Sequence, residues 1–183
     1  MEKKKRVFIV HGWASSSEDC WLPWIKKELE KIGFIVIAPD MSDPKTPNIS
    51  IWTSILSDLV MTPDEDTYFI GHSMGCFIIL KYLESLTEKD RIGGVICVGG
   101  RLGKDGWPPL NTEKIKRFAP RVKAIFSDND YYIPLSVEEA YREWGAKTLI
   151  LNNSGHFSRK ESITKLPEAR DALLELASSR VIC

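Results

Sequence analysis

One pentapeptide in this sequence has a plain chemical use: Gly71-His72-Ser73-Met74-Gly75, a serine with a glycine two residues to either side. A serine hydroxyl is a weak nucleophile near neutral pH and needs a base within hydrogen-bonding reach. Holding it on a strained tight turn leaves no room for side chains two residues away, which is the steric reason for the glycines. Three histidines compete as the base: His11, His72 and His156. His72 adjoins the serine and is expected to point away from it, while His11, in His11-Gly12-Trp13, is expected to brace loops. His156 follows Gly155 in a turn that can aim its imidazole at Ser73, and it is the expected general base. An imidazole in that role needs an anionic partner to fix its tautomer and stabilise the imidazolium. Asp128 and Asp130 are both candidates; Asp130 is preferred because Pro134, four residues on, suits a turn that carries the carboxylate beyond a strand end. Charge developing on a substrate carbonyl oxygen requires preset donors, each worth about 3 kcal/mol. The backbone N–H groups of Met74 and Trp13 are the expected pair.

These groups are far apart in the chain, so a scaffold must bring them together. Six short apolar runs punctuate the sequence: Val7–Val10, Phe34–Ile37, Tyr68–Ile70, Val95–Val98, Ala124–Phe126 and Leu149–Leu151. Their β-branched content and lack of polar alternation suit strands buried on both faces of a parallel sheet. Helical spacing lies between them, in Trp21, Trp24, Ile25, Leu29 and Ile32; in Ile51, Ile55, Leu56 and Leu59; and in Phe77, Leu80 and Leu83. A closing helix is expected through Leu166, Ala169, Leu173, Leu176 and Ala177, with Pro167 in its first turn. Alternating strand and helix without a composition break point to one three-layer α/β domain spanning residues 1–183. In such a domain chemistry gathers at the carboxyl ends of the strands. Ser73, Asp130 and His156 follow the third, fifth and sixth runs, in that order.

Composition narrows the function classes. With 43% hydrophobic and 27% charged residues the chain is neither disordered nor fibrous. Lys plus Arg equals Asp plus Glu, at 25 each, so no global field draws nucleic acid or an anionic membrane. The basic run Lys3-Lys4-Lys5-Arg6 reads as a solvated strand entrance. Cys20, Cys76, Cys97 and Cys183 show no C-x-x-C spacing and read as free thiols of a reducing compartment. Without an N-terminal apolar region, a run long enough to span a bilayer or a prenylation pattern, the expected location is the cytoplasm.

His11-Gly12-Trp13, Gly71-His72-Ser73-Met74-Gly75-Cys76, Asp130-Tyr131-Tyr132-Ile133-Pro134 and Gly155-His156-Phe157 together resemble the retinoblastoma-binding-protein-9 family of small serine hydrolases, within the α/β-hydrolase superfamily. The resemblance covers nearly the whole chain, and Trp21-Leu22-Pro23-Trp24 and Trp52 also follow that family's habit. It implies a compact α/β-hydrolase fold: a six-stranded parallel sheet of order 2-1-3-4-5-6 with helices on both faces, no cap domain, and the nucleophile after the third strand. It assigns Ser73, Asp130 and His156 to a catalytic triad. The L-x-C-x-E motif associated with retinoblastoma-protein binding is absent, so that partner is not inherited, and the sequence names no other protein partner.

The expected reaction is hydrolysis of a small-molecule ester, thioester or amide through an acyl-Ser73 intermediate. Trp107, Tyr131 and Phe157 neighbour the catalytic positions and are candidates, with Trp13, to line an apolar acyl pocket. The loop from Gly99 to about Leu110 is too short for a lid domain, which implies a shallow, open cleft. Two other readings exist: a catalytically silent binding module that keeps the hydrolase shape, and a flavodoxin-like nucleotide binder with Ser15-Ser16-Ser17 as phosphate loop. No cofactor or metal is expected, since H-E-x-x-H and dense His/Cys clusters are lacking and Gly103-Lys104-Asp105 falls short of a P-loop.

Overall fold

Residues 4–103 and 106–179 are described in a computed structural model. Lys3, Lys104, Asp105 and Cys183, named above, lie outside them. The apolar runs become β1 (Arg6–Val10), β2 (Ile35–Ile37), β3 (Thr67–His72), β4 (Gly94–Val98), β5 (Val122–Ser127) and β6 (Lys147–Leu151). Every neighbouring pair is parallel and the order is β2-β1-β3-β4-β5-β6. This is the expected sheet. Strand β3 runs on through Gly71 and His72, so Ser73 is the first residue beyond it.

Alternation along the central strands divides the core into two layers. Phe8, Val10, Phe69, Val95, Cys97, Ala124 and Phe126 face helices α2 (Ile49–Val60), α3 (Met74–Ser85), α4 (Thr112–Ile115) and α5 (Ser136–Trp144). Val7, Ile9, Tyr68, Ile70, Ile96, Val98 and Ile125 face α1 (Leu22–Lys31) and α6 (Pro167–Ser178). Burial on both faces holds for the inner strands but not for the edges. Ile35 on β2 and Leu149 and Ile150 on β6 are exposed, because the helical layers do not extend over the outermost strands.

One helical expectation is corrected, and one helix was not expected. In α2 the buried residues are Trp52, Leu56 and Val60, while Ile51 and Leu59 face outward. Apolar residues cover one half of this helix, with Ser50, Thr53, Ser54, Ser57 and Asp58 on the other, and Ile51 and Leu59 fall outside the part centred on Leu56 that meets the core; the Trp52 Nε1–H donates to the Ser42 carbonyl at 2.6 Å. Helix α5 carries none of the spacings named above and is charged on its outer side, yet it buries Tyr141 and Trp144 and ends at Gly145 in the left-handed conformation, φ +100°. The basic entrance to β1 is used internally. Lys5 Nζ donates to the Ala177 carbonyl and Arg6 to the carbonyls of Val60 and Thr62. No helix among the described residues is long and apolar enough to cross a membrane.

Candidate active site

Ser73 sits between β3 and α3 with φ 52° and ψ −117°, a conformation costly for any residue with a side chain. The flanking glycines are explained by contact. A methyl group on Gly71 would come within 2.6 Å of the Cys76 nitrogen, and one on Gly75 would overlap the Val10 carbonyl. The turn therefore closes against the start of α3 and against β1 only with glycine at both positions. Its geometry also leaves the Met74 N–H at the first turn of α3, where the helix dipole favours negative charge. Among the described residues neither the Met74 nor the Trp13 N–H has an acceptor, whereas the next amide, Ala14 N–H, donates to the Pro44 carbonyl at 2.7 Å.

Ser73, His156 and Asp130 form one hydrogen-bonded line. The Ser73 hydroxyl lies 2.9 Å from His156 Nε2, and His156 Nδ1 lies 2.9 Å from Asp130 Oδ2 and 3.1 Å from Oδ1. A carboxylate only accepts, so Nδ1 carries the proton and Nε2 faces the hydroxyl as acceptor. The Asp130 side chain is 1% exposed and that of His156 8%. Asp130 Oδ1 also accepts from the N–H groups of Tyr132, at 2.8 Å, and Ile133, at 3.0 Å, which fix the carboxylate in the turn after β5.

The loops after β5 and β6 are laced together residue by residue. Asp128 Oδ1 accepts from Asn153 N–H, Ser127 Oγ from Ser154 N–H and Asn129 Oδ1 from Gly155 N–H, at 2.8 to 2.9 Å. Asp130 and His156 make the fourth rung. Asp128 thus spends its carboxylate on the backbone of the histidine loop, three residues from His156. Sequence reading missed this lacing; the run Ser127-Asp128-Asn129-Asp130, four acceptors in a row, was its available signal.

The other two histidines hold backbone. His11 Nδ1–H donates to the Gly12 carbonyl at 2.8 Å, and its Nε2 accepts from Met41 N–H at 2.9 Å. His72 is buried, and its Nε2–H donates to the His156 carbonyl at 2.9 Å. Burial, reinforced by the neighbouring His156 imidazole, lowers the His72 pKa to about 4.

A cleft of about 1310 Å³ opens over Ser73. The segments after β1, β2, β5 and His156 wall it as well as the loop after β4. Trp13, Trp107, Tyr131 and Tyr132 line it. Trp13 is exposed, with its Nε1–H donating to the Lys45 carbonyl at 2.9 Å. The Trp107 ring lies 4.5 Å from that of Phe77, and the Tyr132 ring stands edge-on to His156 at 4.9 Å. Phe157 does not reach the cleft. It is fully buried in the layer of α1 and α6, with its backbone at φ 55°.

The sheet order and the serine turn after β3 define the compact α/β-hydrolase fold. The chain belongs to the family described as Serine hydrolase, whose sequence profile matches residues 7–175. It is 32% identical over 179 residues to YdeN of Bacillus subtilis, covering 92% of this chain and 94% of that one. The crystal structure of YdeN superposes with a TM-score of 0.88 at 31% identity, over 96% of this chain and all of the other. The chain is also 29% identical over 153 residues to the serine hydrolase RBBP9 of Rattus norvegicus, covering 77% and 80% of the two chains. The retinoblastoma-binding-protein-9 resemblance read from the motifs is therefore a family relationship.

Proposed function

We propose that this protein hydrolyses a small ester, thioester or amide through an acyl-Ser73 intermediate, with His156 as general base and acid and Asp130 as its orienting carboxylate. The observation that carries the reading is the unbroken line from Ser73 Oγ through His156 to Asp130, both contacts at 2.9 Å.

The substrate carbonyl sits over Ser73 with its oxygen toward the Trp13 and Met74 N–H groups. Ser73 Oγ bonds to the carbonyl carbon as its proton passes to His156 Nε2, and Asp130 stabilises the imidazolium that results. The negative charge moves onto the carbonyl oxygen, where the two amides and the α3 dipole hold it. Collapse breaks the bond to the leaving group, which takes the Nε2 proton. Water then repeats the attack with its proton going to Nε2, and the acid departs as Ser73 recovers its hydrogen. Trp107 and Tyr131, with Trp13 and Tyr132, supply the apolar wall for the acyl portion.

The test compares wild type with Ser73→Ala across p-nitrophenyl esters of increasing acyl length. A loss of turnover on the order of 10⁴ to 10⁶ is expected, with the length preference of the wild type reporting the acyl wall. Equal rates for the two proteins would favour a silent binding module.

A further inference from the structure

The charge lining the cleft is unlike that of the chain as a whole. Lys and Arg balance Asp and Glu over the sequence, but among the described residues the cleft is lined by three cations, Arg101, Arg159 and Lys160, against one carboxylate, Asp19. Asp19 and Arg159 are joined in an ion pair and cancel. Arg101 and Lys160 remain, and both are held by neutral groups. Arg101 donates through one terminal nitrogen to the Tyr132 carbonyl, and Lys160 Nζ stands 4.0 Å over the ring of Tyr131. No carboxylate among the described residues pairs with either. Nearby acids are committed elsewhere: Asp130 to His156 and two amides, and Glu161 to the hydroxyl and amide of Ser158.

These cations flank one surface. The Tyr131 and Tyr132 rings are 4.6 Å apart, and Tyr132 lies against His156. A substrate portion resting on the tyrosine pair therefore has Arg101 and Lys160 within its reach while its carbonyl is at Ser73. The free edge of a guanidinium anchored by a carbonyl is a preset fork for a carboxylate, and a concave wall concentrates its field.

We infer that the substrate carries a carboxylate, bound by Arg101 and Lys160 beside the Tyr131–Tyr132 pair. This rests on the hydrolytic reading above and names the substrate class of that site: esters, thioesters or amides bearing a second, ionised acid group. The apolar wall and the cations then divide the work. One accepts the carbon chain and the other sets its end.

Two matched pairs of esters test this: p-nitrophenyl hydrogen adipate against its methyl ester, and 4-acetoxybenzoate against methyl 4-acetoxybenzoate. They place the carboxylate on the acyl and on the leaving side respectively. In at least one pair, wild type should favour the anionic member by about tenfold or more in kcat/KM. The ratio should fall toward one in Arg101→Gln, fall partway in Lys160→Gln, be partly restored in Arg101→Lys, and shrink at 0.5 M salt. Because each variant is read as a ratio on its own neutral ester, loss of folded protein does not imitate the effect. Neutral esters cleaved with both ratios at or below one, or ratios indifferent to Arg101→Gln, would overturn the inference and leave the hydrolytic reading standing. Failure of wild type to exceed Ser73→Ala on all four esters would overturn both.

Discussion

The imidazole of His72 donates to the backbone carbonyl of His156 at 2.9 Å, so the residue preceding Ser73 holds the chain that carries His156. The bond places both sides of the Ser73–His156 contact under one constraint. It also has a pH signature. His72 stays unprotonated in the folded protein down to about pH 4, because burial and the adjacent His156 ring disfavour its charge, whereas an unfolded histidine takes up a proton near pH 6.5. Between those values the unfolded state binds more protons, so stability falls as the pH falls. The contribution is intact above pH 6.5 and is lost by pH 4, about 3 kcal/mol in all. Urea unfolding from pH 7 to pH 4 should show this slope, and His72→Gln, which keeps a donor but does not titrate, should flatten it.

Asp128→Asn and Asp130→Asn should separate the two acids in the loop after β5. Asparagine at 128 still offers an oxygen to Asn153 N–H, so turnover should change less than about threefold. Asparagine at 130 keeps an acceptor for Tyr132 and Ile133 N–H but cannot hold the His156 tautomer, and kcat should drop by about 10³ to 10⁴. Thermal unfolding of both variants should remain close to wild type.

Gly75→Ala should cost about 3 kcal/mol or more, since its methyl group has no space against the backbone carbonyl of Val10. Gly33, at φ +95° with nothing within 4 Å of an added Cβ, is the control. Gly33→Ala should cost only the backbone strain, about 1 kcal/mol. Denaturant midpoints for the pair measure the difference.

Asp19 accepts from the Ser15 hydroxyl, the Ser16 amide and Arg159, tying the segment after Trp13 to the one after His156. Burial pushes its carboxyl up, but these partners outweigh that and hold it below the usual range. The Arg159 side chain is 71% exposed, so Arg159→Gln should cost less than about 1 kcal/mol. Asp19→Ala removes the acceptor from two loop donors as well and should cost about 1 to 3 kcal/mol. Urea titration of the two variants checks the order.

The sheet and its order were legible because four inner strands are buried on both sides and leave continuous apolar runs with chemistry-bearing residues directly after them. Phe157 was misread because sequence adjacency to His156 carries no information about direction: its ring packs into the α1–α6 layer. Helix α5 was missed because its buried face is only Glu138, Tyr141 and Trp144, set among charges. Ser136 before Glu138 and Glu139, and Gly145 at the end, were the signals available. The run 127–130 shows four acceptors in a row, but that they meet residues 153–156 depends on which loops come together across the sheet, and no local pattern encodes the partner.

An activated Ser73 nucleophile reacts with a fluorophosphonate, and intact-mass analysis after that treatment reads the activation without a known substrate. One adduct per chain is expected, located by peptide mapping at Ser73, absent from Ser73→Ala and much slower to form in His156→Ala. A wild-type protein that stays unmodified, or an adduct that persists in Ser73→Ala, would contradict it.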